Sequence, residues 1–309
     1  MSGIGIITNP HSKLNKRNPN RQAYLGFILG SQGQLEVTNS LEDLERVARE
    51  FKSKGISVLA INGGDGTVSR TLTAFLKAYG SEPMPKIAIL KGGTINVLAN
   101  NLGIRGTPEQ VLFRLVEWHS RGDAIPVKRL RTVSIDGMHG FLFGNGIAAS
   151  FLKEYYKRKT NALGSGALVL AVWFSSFYRG HLFKNVFVEH DQKLSSTNAK
   201  QTELKSCVMF ASTLLKLPLG VPYFYSLDDH PDEFQTVAFT TPVQDAWRLP
   251  FEFIRGQRGP TKDKISFCCK SLSIETREPF DYTLDGELFT AITGKLTLEV
   301  GPQLEFVVI

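Results

Sequence analysis

The stretch "VLAINGGDGTVSR", residues 58–70, is an apolar run that breaks into three glycines around one aspartate and then resumes with helical spacing. The unbroken apolar start reads as a strand covered on both faces, as in a parallel sheet. Gly63, Gly64 and Gly66 let backbone come close to a ligand or take positive φ. A helix beginning near Thr67 aims its first N–H groups and its positive dipole end back at the loop. Strand, glycine turn and helix together make a phosphate-binding geometry. No Gly-Lys-Ser/Thr follows at Walker spacing, and the downstream glycine of Gly-x-Gly-x-x-Gly is missing. Asp65 is the odd member, a carboxylate beside a site built for an anion. On spacing alone, a plain glycine turn is the lesser alternative.

A second stretch changes that balance. "KIAILKGGTINVLANNLG", residues 86–103, repeats the arrangement as an apolar strand, Gly92-Gly93-Thr94, and a helix with Asn96 in its first turn. Two such loops on neighbouring parallel strands bring two helix starts to one crevice, at the strand C-termini where α/β sheets bind ligands. Between and around them, "SLEDLERVAREFKSKG" carries Leu41, Leu44, Val47, Ala48 and Phe51 at helical spacing, with Ser40 as its cap. Alternating strand and helix signals up to about residue 126 predict an α/β part with a mainly parallel sheet.

Beyond Pro126 the texture changes. "KRLRTVSIDGMHGFLFGNGIA" reads as strands around an Asp136-Gly137 turn. "LFKNVFVEHD", "SCVMFAST", "FQTVAFT", "DKISFCCKSLSIET", "FDYTLDGELF" and "GKLTLEVGPQLEFVVI" read as further strands. Only residues 148–180 suggest helix. The expected organisation is residues 1–126 as a nucleotide-binding α/β domain and 127–301 as a β-rich domain, with a ligand cleft between them.

Composition bounds the function classes. Lys plus Arg is 36 and Asp plus Glu is 29, a net charge of +7, which favours an anionic partner without choosing among nucleotide, membrane and nucleic acid. Nucleic-acid binding rests on this charge alone, with no basic-aromatic interleaving or known module, and is not expected. Three cysteines, Cys207, Cys268 and Cys269, form no zinc spacing and no disulfide framework. The start "MSGIGIITNP" reads as a strand, not a signal peptide. "ALGSGALVLAVWFSSFYRG", residues 162–180, is too interrupted by Gly and Ser for a span and reads as a buried helix. A cytoplasmic protein is expected.

The motifs "TNPHS" at 8–12, "GGDGT" at 63–67, "GGTIN" at 92–96 and "LDGE" at 284–287 resemble, in order and spacing, the diacylglycerol kinase catalytic-domain superfamily. That group includes sphingosine and ceramide kinases, with NAD kinases as distant relatives. The resemblance implies an ATP-dependent lipid kinase using Mg²⁺. Asn9 and the loop Gly63, Gly64, Asp65, Gly66 and Thr67 would line the nucleotide, with Gly93, Thr94 and Asn96 near its phosphates. The β-rich domain would be a sandwich holding the lipid, and the strand "LEFVVI" would return to the first domain, over about residues 302–309.

Phosphoryl transfer needs positioning, charge neutralisation and a base for the acceptor hydroxyl. Asp65 then makes sense as a holder of Mg²⁺, which cancels its repulsion from phosphate. Asp285 and Glu287 share a strand face if the chain runs extended. Read alone, Asp285-Gly286 is a hairpin turn. By the resemblance, Asp285 is the candidate base, with Glu287 assisting it or binding metal; in sphingosine and NAD kinases the aspartate of the glycine loop takes the base role instead. Lys153, Lys157, Arg158 and Lys159 make a basic helix, read either as a solvated face or as a contact for anionic headgroups. The expected partners are ATP, a lipid acceptor, an anionic membrane surface and a second copy of the chain.

Several positions leave the family pattern. Val97 stands where an aspartate is frequent, Ser69-Arg70 where Asn-Glu is common, and Lys91 where proline is frequent. "STLLKLPLGVPYFY" replaces an expected glycine cluster. An NAD kinase-like enzyme and a nucleotide-binding regulator without catalysis are the rival readings.

Overall fold

The computed structural model describes residues 3–93, 96–157, 171–172, 175, 181–197, 201–251 and 262–309 of the 309-residue chain. Its strands are β1 (Ile4–Thr8), β2 (Gly33–Val37), β3 (Val58–Asn62), β4 (Lys86–Ile89), β5 (Val127–Ile135), β6 (Met138–Gly140), β7 (Leu142–Gly146) and β8 (His190–Ser196). They continue as β9 (Thr202–Ser206), β10 (Val208–Ser212), β11 (Phe234–Phe239), β12 (Lys264–Cys269), β13 (Ser271–Thr276), β14 (Phe280–Leu284), β15 (Glu287–Ala291) and β16 (Lys295–Val307). The α-helices are α1 (Lys13–Arg17), α2 (Arg21–Leu29), α3 (Leu41–Ser53), α4 (Asp65–Tyr79), α5 (Val97–Asn101), α6 (Pro108–Arg121), α7 (Ile147–Lys157) and α8 (His181–Val186).

Local chemistry sets the helix ends. Ser40 Oγ accepts from Asp43 N–H at 3.1 Å and starts α3. Thr107 and Gln110 form a reciprocal capping box on α6, which Gly122 closes in a left-handed conformation. In the N-terminal region β1 pairs in parallel with β2 and β3, and β3 with β4. Every residue of β1 and β3 is buried, as their unbroken apolar runs require. The α/β reading with a mainly parallel sheet therefore stands for this region.

The C-terminal region is β-rich and antiparallel. One sheet runs β12-β11-β10-β7-β14-β15. The other continues the parallel sheet in the order β2-β1-β3-β4-β16-β13-β8-β9, with β5 also paired to β16. Between the two sheets Val133, Leu272, Ile274 and Leu298 pack with Phe143, Met209, Phe234 and Tyr282, a sandwich core. The strand β16 joins the regions. It pairs antiparallel with β13 over Lys295–Glu299 and parallel with β4 at Phe306, while β5 pairs antiparallel with it from Glu299 to Val307, with a register shift between Val300 and Gln303.

One segment differs from the sequence reading. Residues 182–186, expected as the start of a strand over 182–191, belong to the helix His181–Val186. Phe183, Val186 and Phe187 fall at i, i+3 and i+4, so one helix face is buried, and the rings of Phe183 and Phe187 stack at 4.7 Å. The apolar stretch 162–180 lies almost entirely outside the described residues. Among the described residues no helix is long and apolar enough to cross a membrane.

Candidate active site

The strand order β2-β1-β3-β4 puts the topological switch between β1 and β3, and the residues after both strands meet there. Asn9 N–H extends the ladder by donating to the Asn62 carbonyl at 3.1 Å. Its side-chain Nδ2 donates to Thr67 Oγ1 at 2.9 Å, tying the first loop to the start of α4. The two glycine loops touch backbone to backbone: a Cβ on Gly93 would lie 2.5 Å from Gly64 Cα. Gly64 precedes α4 without a side-chain cap, so the first-turn N–H groups lack intrahelical carbonyl partners, the arrangement with which a helix start receives an anion.

The second loop departs in detail from expectation. Asn96 precedes the short α5 in a left-handed conformation, φ 50°, instead of sitting inside the helix. Asparagine tolerates this region because its short amide bonds locally. Asn96 Oδ1 accepts from Gly93 N–H at 3.1 Å and Nδ2 donates to the Gly93 carbonyl at 3.0 Å. Thr94 lies outside the described residues. Lys91 Nζ donates to the Ile104 carbonyl.

Asp65 opens α4, yet its carboxylate serves the other loop. Oδ1 accepts from Leu98 N–H at 3.4 Å, and the N–H groups of Val97 and Asn96 also bear on it. Loss of water raises its pKa, these N–H groups oppose that, and the net direction is upward. Val97 thus contributes through its backbone, whatever its side chain.

Asp285 and Gly286 form the two-residue turn between β14 and β15, with φ 49° and 83°. The hairpin reading is correct as geometry, and so is the placement of a carboxyl in the site. Asp285 Oδ1 accepts from Phe141 N–H at 3.1 Å and Leu142 N–H at 2.9 Å, and Oδ2 from Phe141 N–H at 3.1 Å. Its pKa is pushed up to about 7, first by loss of water and then by the charge of Asp65, against the pull of those two N–H groups. A carboxyl poised there is suited to take a proton near neutral pH.

Glu287, the first residue of β15, lies across the face of α4. A Cβ on Gly66 would come within 2.4 Å of Glu287 Oε1, so that position tolerates only glycine without a shift. Glu287 Oε2 accepts from Arg70 Nη2 at 2.5 Å. Tyr156 of α7 donates its hydroxyl to the Gly286 carbonyl at 2.7 Å, and the Glu287 charge helps burial raise its pKa. Asn9, Gly63, Gly64, Asp65, Gly66, Thr67, Gly93 and Asn96 thus gather at the two loops, and Asp285 and Glu287 meet them from the antiparallel sheet.

Sequence reasoning missed three contributors. Asn15 of α1 donates to the carbonyls of Asn9 at 2.8 Å and Asn62 at 3.3 Å. Asn62 is fully buried, and among the described residues its side-chain amide has no hydrogen-bond partner. Tyr156 holds the Asp285 turn. An asparagine ending an apolar strand just before three glycines was the one available signal.

Among the described residues no three His, Cys, Asp or Glu side chains come together as a metal cluster. Mg²⁺ uses one or two carboxylates and completes its octahedron with phosphate oxygens and water, so the hard oxygens of Asp65 and Glu287 fit such an ion arriving with a nucleotide.

Residues 4–125 match the family model of the diacylglycerol kinase catalytic domain. Lipid kinase YegS of Escherichia coli K12 is 31% identical over 112 residues, 35% of this chain and 35% of that protein. Probable lipid kinase YegS of Shigella flexneri is 32% identical over the same 112 residues and shares. The similarity therefore spans about a third of those relatives' own length. A crystal structure of a diacylglycerol kinase from Bacillus anthracis Sterne superposes with a TM-score of 0.65 at 16% identity, covering 100% of this chain and 97% of that one. Two more structures from that strain reach 0.71 at 16% and 17% identity with the same coverage. The structural likeness is one of fold, and it spans both regions.

Proposed function

We propose that this chain is an ATP-dependent lipid kinase, moving the γ-phosphoryl group of ATP to the hydroxyl of a membrane lipid. The observation that carries the reading is the Asp285 carboxyl, pushed up to about 7 and facing two glycine loops whose family model is a lipid kinase domain. In this reading the loop N–H groups and Thr67 hold the phosphates, and Asn9 and Asn96 fix the loops. Mg²⁺, when bound at Asp65 and Glu287 with ATP, neutralises phosphate charge. Asp285 accepts the acceptor's proton as the new O–P bond forms. The bond from the γ-phosphorus to the β-phosphate oxygen breaks, and ADP leaves.

The reading divides the chain into a nucleotide part, residues 1–126 with about 302–309, and an acceptor part, 127–301. The apolar cores support this: Leu304, Phe306 and Val307 pack with the α/β core. The acceptor lies in a bilayer, so the reading includes peripheral contact with an anionic membrane on the cytoplasmic side. Of the basic stretch, Lys153 pairs with Asp281 at 2.8 Å and Lys157 with Glu154 at 2.9 Å. Both ammonium groups remain largely exposed, and such pairs yield readily. Arg158 and Lys159 lie outside the described residues. Vesicle binding that falls with salt, and falls further when the lysines are replaced by glutamine, is expected.

The decisive test is incubation with labelled ATP, Mg²⁺ and a panel of diacylglycerol, sphingoid base, ceramide, phosphatidylglycerol and NAD. Label in one lipid is expected. Label in NAD alone transfers the reading to a soluble acceptor. Nucleotide binding with no transfer to any acceptor overturns kinase activity in favour of a regulator.

A further inference from the structure

The pair Ser69-Arg70, where this chain leaves its relatives, is absorbed by neither the phosphate loop nor the carboxylates. On α4, Gly66, Ser69, Arg70 and Thr73 fall at i, i+3, i+4 and i+7, a single helix face. That face is where the two regions of the molecule meet. Ser69 Oγ donates to the His139 carbonyl at 2.6 Å, and Thr73 Oγ1 accepts from His139 N–H at 2.9 Å, so β6 is fastened to the helix. One turn nearer the crevice, Glu287 lies over Gly66 with Oε1 and reaches Arg70 with Oε2. Glu287 is separated from Asp285 by Gly286 alone. Whatever holds Glu287 on α4 therefore holds the Asp285 turn toward the helix that carries Asp65.

We infer that Arg70 is a positioning residue: its grip on Glu287 seats the Asp285-Gly286 turn against the glycine-loop helix. It rests on the lipid-kinase reading for its kinetic consequence, but not for its structural one. The pair is partly exposed, with 53% of the Arg70 side chain and 34% of the Glu287 side chain accessible, so it adds little to global stability. Its effect lies in geometry, where a displacement of about 1 Å costs on the order of 100-fold in rate. Tyr156 and Lys153 hold the same hairpin from α7, at Gly286 and Asp281, so the hairpin is gripped from two sides and Arg70 is the side that belongs to the nucleotide region.

The test compares R70Q, R70K, E287Q and the R70Q/E287Q double variant. R70Q is expected to lower kcat on the order of 10- to 100-fold with Tm nearly unchanged, and R70K to recover most of the loss. In the double variant the loss is no larger than in E287Q, because Arg70 acts through Glu287. Losses that multiply overturn the inference by making Arg70 a substrate contact of its own. Failure of R70K to recover activity also overturns it. Amide hydrogen exchange over residues 280–291, measured without any acceptor, separates this from the choice of reaction. Faster exchange there in R70Q, with α3 unchanged, supports the grip even if no lipid takes label; unchanged exchange overturns it whichever acceptor is used.

Discussion

Two Asp-Gly hairpins in this molecule share one backbone and differ in everything else. Asp136-Gly137 joins β5 to β6 with φ 49° and 78°; Asp285-Gly286 joins β14 to β15 with φ 49° and 83°. Both have left-handed conformations at the two central positions, as a tight two-residue turn requires. Asp136 stands exposed. Asp285 turns its carboxyl onto the N–H groups of Phe141 and Leu142 and loses its water. The turn motif thus decides only the shape of the connection. Its neighbours in the fold decide whether the aspartate is a solubilising group or a reactive one.

The largest expected difference between the hairpins is catalytic. Asp285→Asn should abolish phosphoryl transfer, by roughly 100- to 10,000-fold for a lost base, while Asp136→Asn leaves it within about twofold. Labelled-ATP turnover on folded variants, checked by circular dichroism, reads both. Equal activity in the two variants would reject Asp285 as base.

The next difference is in titration. Because the Asp65 charge adds to burial in raising the pKa of Asp285, Asp65→Asn should lower the Asp285 midpoint from about 7. Carboxyl ¹³C NMR titration of Asp285 reads this and needs no turnover. In active protein, the acid limb of the rate profile should fall as pH drops through about 7, since the base must be ionised.

Stability offers a smaller contrast with a definite sign. The Asp285 pKa is raised in the folded state, so folded protein binds that proton more tightly than the unfolded chain. Its contribution to stability is present below about pH 4 and is lost as pH rises to about 7. Asp285→Asn should therefore raise Tm by several degrees at pH 8 and by almost nothing at pH 4. Asp136→Asn, a change at an exposed position, should move Tm little. Thermal melts across that range are the check.

The smallest difference should be none at all. Gly286→Ala and Gly137→Ala each put a Cβ on a left-handed residue, at a cost of about 1 kcal/mol. Matching losses in denaturant melts would establish that the two turns are equivalent scaffolds.

The same contrast explains what could be read in advance. Continuous apolar runs ending in glycine loops carry their own message within ten residues, so β1, β3, β4 and both loops were legible. The Asp285 environment was not, because its partners Phe141 and Leu142 are 144 and 143 residues away in sequence. Arg70 and Glu287 are 217 apart, and no local pattern pairs them. Residues 182–186 misled for a different reason. A short segment rich in Phe and Val has strand propensity, and burial of one helical face overrides it. Asn62 was passed over because a polar residue at a strand end is ordinary until both sides of it are known to be covered.

The strand β16 carries a consequence for biosynthesis. Its pairing with Ile87 of β4 closes the parallel sheet, and Leu304 and Phe306 complete the core beneath it. At roughly 5–20 residues per second, the ribosome emits β4 on the order of ten seconds or more before it emits β16. Throughout that interval β4 of the nascent N-terminal region has no β16 to pair with, and an open sheet edge is the kind of surface that invites strand addition from other chains. The strand that neighbours β4, which leads into the second glycine loop, is therefore among the last parts of the chain to be made.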